Sequence, residues 1–294
     1  MTMIGDPAFA FMTANGIKLH TARAGLDQGP LVILLHGFPE FWFGWRYQIG
    51  PLADAGYRVL APDQRGYHLS DKPEGVASYA LDALAADVVG LIDAAGRPRA
   101  ALLAGHDWGG IVAWWVALRH PDRVERLAIL NAPHPAAVRH FWRHPAQLLK
   151  SWYVFYFQVP WLPEASLRRD DWRGLAESLR KTSRPGTFTD EDLERYRRAW
   201  SEPGAITTMI HWYRALFRAR PRLPADPRIR VPTLLIWGVH DRFIRRELAR
   251  TSVAFCNSGR LEFFEEATHW VQHEESERVN RLLLHFLGQP AGKA

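Results

Sequence analysis

The chain has 294 residues, 47% of them hydrophobic, and 37 Lys and Arg against 31 Asp and Glu give a formal charge of +6. That length fits one large domain or a domain with an insertion, the single cysteine, Cys256, excludes an internal disulfide framework, and no apolar run approaches the ~20 residues a membrane span needs. The arginines concentrate between Arg168 and Arg222 and are interleaved with Asp and Glu, the pattern of a solvated helical surface, so the positive balance does not point to nucleic acid.

Met1–Pro7 lacks the basic-then-apolar order of a secretory signal, which together with the one cysteine points to the cytoplasm. Phe9 to Ala14 and Ile17 to Ala24 are extended runs split by Asn15-Gly16, a dipeptide that favours a type I′ hairpin turn. Leu31-Val-Ile-Leu-Leu35 is continuously apolar, as in a strand buried on both faces, and ends in His36-Gly-Phe-Pro-Glu40. Arg58 to Pro62 is the next strand. Leu81, Leu84, Val88, Leu91 and Ile92 recur at helical spacing until Gly96 and Pro98 stop them. A strand from Ala101, a helix to about His120 and the strand Arg126 to Leu130 continue the alternation, which predicts a mostly parallel central sheet with helices on both faces.

The rhythm breaks after Asn131-Ala-Pro-His-Pro135. From there to about Pro224 the patterns are helical, rich in Trp, Tyr and Arg, with Thr189-Asp-Glu-Asp192 marking a helix start. Strands return at Pro232 to Trp237 and Leu261 to Phe264, and a helix carrying Val279, Leu282, Leu283, Phe286 and Leu287 on one face closes the chain. We therefore expect a core in two parts, 1–134 and 226–294, with a helical cap at 135–225. An insertion after a strand's C-terminal end lies over the crevice where open α/β sheets bind ligands. The 13 tryptophans mostly serve core packing, with several near the motifs below available to wall an apolar pocket. Cys256 reads as a small packing residue.

One stretch carries the chemistry. Gly105-His-Asp-Trp-Gly109 ends a strand and opens a helix, the context of a nucleophile elbow whose usual form is Gly-x-Ser-x-Gly. Here the central residue is Asp107. Alone, such an aspartate reads as a helix cap, but partners follow in the order nucleophile, acid, histidine. Asp241 comes just after the strand that ends at Trp237, in Trp237-Gly-Val-His-Asp241, and His269 follows the last strand in Ala267-Thr-His-Trp270. A carboxylate attacking an acyl ester would give a reactive anhydride. Attack on a saturated carbon gives a stable ester on Asp107, which water activated by His269 then hydrolyses while Asp241 fixes the imidazole tautomer. The remaining histidines fall into no metal-ligand spacing, and there is no His-Glu-x-x-His.

The set His36-Gly-Phe-Pro-Glu40, Gly105-His-Asp-Trp-Gly109, Thr268-His-Trp270, with Ser151-Trp-Tyr-Val-Phe-Tyr-Phe-Gln158 and His211-Trp-Tyr-Arg214, resembles the α/β-hydrolase-fold epoxide hydrolases over nearly the full length, with haloalkane dehalogenases as near relatives. The resemblance implies an α/β-hydrolase fold with a helical cap, no cofactor and no metal, a small apolar epoxide and water as reactants, and a vicinal diol as product, with homodimer assembly left open. It matches Tyr153 and Tyr213 to a pair that protonates the opening ring, with Tyr156 the rival of Tyr153. The backbone N–H groups of Phe38 and Trp108 are the expected oxyanion donors. A dehalogenase using the same triad remains the alternative. Its halide needs weak N–H donors, often Trp after the nucleophile and Asn at the position filled here by Phe38, and that departure favours the epoxide. A hydrolase-fold binding protein without turnover is the alternative of another class, and the intact triad argues against it. His68 stands where relatives often have glycine, with no assigned role.

Overall fold

The computed structural model describes residues 7–138, 145–219 and 221–289. Eight strands form one sheet: β1 (Ala8–Ala14), β2 (Ile17–Ala24), β3 (Leu31–Leu35), β4 (Arg58–Pro62), β5 (Leu102–His106), β6 (Leu127–Leu130), β7 (Thr233–Gly238) and β8 (Gly259–Phe264), in the order β1-β2-β4-β3-β5-β6-β7-β8. The β1–β2 hairpin and the β2–β4 pair are antiparallel; every later pairing is parallel. The hairpin turn has φ 49° at Asn15 and 77° at Gly16, both positive as a type I′ turn requires. Among the described residues no strand lies between β6 and β7.

The period-two alternation of a strand sends neighbouring side chains to opposite faces, and the core divides accordingly. Ile33, Leu103, Ile129 and Leu235 pack with Leu84, Val88 and Leu91 of α2 (Leu81–Ala94) and with Val112 and Val116 of α3 (Trp108–Arg119). Val32, Leu34, Leu102, Ala128 and Leu234 pack on the other face with Ile49 and Leu52 of α1 (Arg46–Asp54) and with Val279, Leu283 and Phe286 of the closing helix. The continuous apolar runs of β3, β5, β6 and β7 reflect this double burial.

Five helices fill the described part of the insertion: α4 (Pro145–Lys150), α5 (Trp152–Tyr156), α6 (Leu162–Thr182), α7 (Asp190–Ser201) and α8 (Ala205–Arg218). After β7 come α9 (Glu247–Val253), α10 (Val271–Glu274) and α11 (Ser276–Gly288). Thr189 caps α7 through a reciprocal box in which its hydroxyl accepts from the Asp192 N–H at 3.1 Å and its own N–H donates to Asp192 Oδ2 at 3.0 Å. α6 departs from the sequence expectation. Asp170, Asp171 and Trp172 adopt φ of 48°, 52° and 62° and break it into two pieces. Tertiary contacts hold the break, since Trp172 is buried with its indole N–H donating to Ser201 Oγ at 2.7 Å.

The cap is bonded to the loops that follow β3 and β4. Trp200 Nε1 donates to the Pro39 carbonyl at 2.6 Å, Tyr196 to Glu40 Oε1 at 2.8 Å, and Trp212 Nε1 to the Arg65 carbonyl at 3.1 Å. Trp45, Trp108, Trp114, Trp115, Trp172, Trp200, Trp212, Trp237 and Trp270 are buried, while Trp152 and Trp161 are exposed; Trp142 lies outside the described residues. Cys256 is half-buried just past α9, and burial pushes its thiol up to about 11, as expected of a packing residue.

Candidate active site

Asp107 occupies the turn between β5 and α3 with φ 51° and ψ −121°. A non-glycine residue persists in such a conformation only where its surroundings hold it. The flanking glycines explain how. A Cβ on Gly105 would lie 2.3 Å from the Gly109 carbonyl oxygen, and one on Gly109 would lie 2.1 Å from that of Leu35. Only glycine at both positions lets the turn close this tightly against β3.

The three residues read from the sequence as a triad converge from three strand ends. His269 Nε2 lies 3.5 Å from Asp107 Oδ2, and His269 Nδ1 lies 2.7 Å from Asp241 Oδ2. Asp107 Oδ1 accepts the Phe38 N–H at 3.0 Å. Trp108 follows directly as the first residue of α3, where N–H groups find no acceptor inside the helix.

The electrostatics follow from burial against pairing. Burial works to raise Asp107 and Asp241, but His269, the Phe38 N–H at the first and Asn131 with the Ile244 N–H at the second hold both below the usual carboxylate range. Burial works to lower His269; the Asp241 charge, the hydrogen bond to Asp241 and the nearby Asp107 carboxylate outweigh it and push the imidazole up to about 10. Tyr153 and Tyr213 are raised above the ordinary phenol value, first by burial and then by neighbouring groups that include the Asp107 charge, so both hydroxyls keep their protons.

Two cavities, of ≈ 740 and ≈ 380 Å³, meet at this point. The larger runs past Phe38, Leu167, Leu175, Phe243 and Trp270; the smaller past Leu81, Ile111, Trp115, Val154 and Leu216. Among the described residues, only Asp107, Tyr153 and Tyr213 line both. The two phenol rings are 5.9 Å apart between centroids, and Tyr213 packs edge-on against Trp108 and Phe38. Tyr156 lines the larger cavity alone, and its hydroxyl lies 2.6 Å from Ser166 Oγ.

Comparison with known proteins agrees with this geometry. Residues 30–276 match the profile of a family described as alpha/beta hydrolase fold. The chain is 39% identical to human epoxide hydrolase 4 over 99% of its own length and 81% of that protein's. It belongs to the α/β-hydrolase-fold epoxide hydrolases. It is also 50% identical to the AB hydrolase superfamily protein YfhM of Bacillus subtilis, covering 94% of this chain and 96% of that one. A crystal structure of an epoxide hydrolase from Bacillus megaterium in complex with an inhibitor superposes with a TM-score of 0.86 at 31% identity, over 95% of this chain and 100% of that one.

This epoxide hydrolase contains site residues that the sequence analysis passed over. Asn131, at the end of β6 with φ 44°, donates to Asp241 Oδ2 at 2.7 Å and accepts the Gly238 N–H at 2.8 Å. It ties the acid's loop to the neighbouring strand. Asn tolerates a left-handed backbone better than most residues, and an Asn closing an apolar strand was the available signal. Glu40 is buried beneath the site. Its Oε1 meets His273 at 2.7 Å and Tyr196 at 2.8 Å, and its Oε2 meets His106 and Gln272, each at 3.1 Å. His106 Nε2 in turn lies 2.9 Å from the His269 carbonyl oxygen. Burial works to raise Glu40, and His273 with His106 holds it well below the usual range. His68 lines neither cavity.

Proposed function

We propose that the chain hydrolyses apolar epoxides to vicinal diols through a covalent ester on Asp107. The observation that carries this reading is the shared wall, with one carboxylate and two protonated phenols at the junction of two apolar arms. An epoxide ring placed there has its substituents in one arm or both. Asp107 attacks a ring carbon, the carbon–oxygen bond breaks, and the alkoxide takes a proton from Tyr153 or Tyr213. The Ser166 contact of Tyr156 favours Tyr153 for this role.

Forming the ester removes the Asp107 charge, and with it one of the causes that keep His269 protonated. The proton His269 gives up restores the phenol, and the neutral imidazole takes the next proton from water as that water attacks the ester carbonyl. Asp241 and Asn131 hold the ring in place. The Phe38 and Trp108 N–H groups receive the oxyanion that develops on the Asp107 carboxyl, and one such donor is worth ~2.7–4 kcal/mol. Collapse releases the diol and regenerates Asp107. The cap, which we set at 135–225, supplies both phenols. The single, half-buried cysteine fits a reducing compartment, and we propose the cytoplasm.

The test is a single turnover of styrene oxide in heavy-oxygen water. The ester route puts a light oxygen from Asp107 into the diol and a heavy oxygen into the carboxyl of Asp107. A first-turnover diol carrying heavy oxygen would mean direct attack by water and would end the proposal.

A further inference from the structure

His20 on β2, Asp63 just after β4 and His68 in the following loop are far apart in sequence, yet the fold brings one ligand atom from each within 4.8 Å of the others. Nδ1 of His20 lies 2.6 Å from Asp63 Oδ2, and Nδ1 of His68 lies 2.8 Å from the same oxygen. We propose that these three residues form a site for a divalent transition-metal cation, separate from the catalytic centre.

The donor set selects the class of ion. Two imidazole nitrogens and one carboxylate oxygen suit zinc, cobalt or nickel, whereas magnesium and calcium take oxygen ligands. Three protein ligands leave a position for water. Zinc with bonds of ~2.0–2.2 Å spaces tetrahedral ligand atoms ~3.3 Å apart, so both imidazoles need to retreat by less than an ångström. Ligation through Nδ1 takes each ring as the neutral tautomer carrying its proton on Nε2. Asp63 is fully buried, and its Oδ2 is the one oxygen that both imidazoles face.

The surroundings fit a ligand shell. Phe9 stacks on His20 with centroids 5.1 Å apart, and Phe41 packs on His68 at 4.9 Å. The second carboxylate oxygen, Oδ1, accepts the Trp42 N–H at 2.9 Å. That bond is a second tie that fixes a ligand's orientation. Both histidines keep some access to solvent, with side-chain exposures of 10% and 17%. His68 holds φ 40°, a left-handed backbone that glycine takes without strain. Lys72 is the competing cation. It feels the Asp63 charge and is tethered by the carbonyls of His68 and Ser70.

Occupancy has a structural consequence. Asp63 also holds the backbone at Trp42, and Phe41 rests on His68, so a bound ion fastens the segment leading out of the Phe38 loop to β2 and β4.

The test uses tag-free, chelator-stripped protein dialysed against Zn²⁺ or Co²⁺. The wild-type chain is expected to retain one ion, to show the visible absorption of four-coordinate Co²⁺, and to melt several degrees higher with Zn²⁺. His68→Gly, which relieves the backbone strain, and His20→Gln are each expected to lose the ion, the absorption and the metal-dependent rise in Tm. A wild-type chain that retains no ion, or variants that retain as much as the wild type, would overturn the site.

Discussion

Replacing His269 with Gln should separate the two chemical steps. In the proposed cycle His269 is the base for ester hydrolysis but takes no direct part in ring opening. Its Nε2 stands 3.5 Å from Asp107 Oδ2, beyond ordinary hydrogen-bond length, so the nucleophile keeps its Phe38 N–H and loses only a nearby charge. Alkylation should therefore change by less than about tenfold. Losing a general base typically costs ~10²–10⁴ in rate, or roughly 2.7–5.5 kcal/mol at ~1.36 kcal/mol per decade. The amide of Gln retains a donor for Asp241, which otherwise would be a buried carboxylate short of one partner. With excess styrene oxide the variant should release almost no diol, and intact-mass spectrometry should find the whole substrate mass added once per chain, on the peptide containing Asp107. Trp108 lines the same cavity, so a stopped-flow fluorescence change should report alkylation directly. A folded variant that turns over at the wild-type rate, or one that forms no adduct while Asp107 is intact, would refute the division of labour.

Three further outcomes follow from the same geometry. Tyr153→Phe and Tyr213→Phe should each lower kcat/KM for an epoxide, and the double variant by ~10²–10⁴; rapid diol formation by the double variant would remove the phenols from the mechanism. Asn131→Ala leaves Asp241 with one donor fewer, so it should lower the unfolding free energy by the ~1–3 kcal/mol of an unsatisfied buried group, read as a lower Tm, and slow ester hydrolysis more than alkylation. An unchanged single-turnover profile would make Asn131 merely structural. His269 is raised from the ordinary 6.5 to about 10 in the folded chain, so its contribution to stability is complete below pH 6.5 and is lost as the pH rises through about 10. Tm should fall across that window in the wild type and less in His269→Gln, and parallel curves would contradict the assignment.

Much of this was written locally. β3, β5, β6 and β7 announce themselves because double burial leaves no room for polar alternation, and Asn15-Gly16 because few residues accept two positive φ angles in succession. The candidate site was legible through Asp107, Asp241 and His269, since each follows the C-terminal end of a strand and the order of strands places those ends together. What escaped depends on tertiary packing. No glycine flags the break at Asp170 to Trp172; a buried indole imposes it. Asn131 looked like the end of a strand because its partner, Asp241, arrives from across the sheet. His20, Asp63 and His68 have no shared spacing, because β2 and β4 are neighbours only once the sheet is built.

The unequal arms on either side of Asp107 bear on stereochemistry. An unsymmetrical epoxide can lie at the junction in two orientations, and each offers a different ring carbon to the carboxylate. The bulkier substituent has about twice the room on the Leu167 and Leu175 side as on the Leu81 and Trp115 side, so size sorts the orientations before any bond is made. Regiochemistry and the handedness of the diol should then respond to substitutions that widen or fill the narrower arm, at positions such as Leu81, Ile111 and Leu216, while the reacting groups stay untouched.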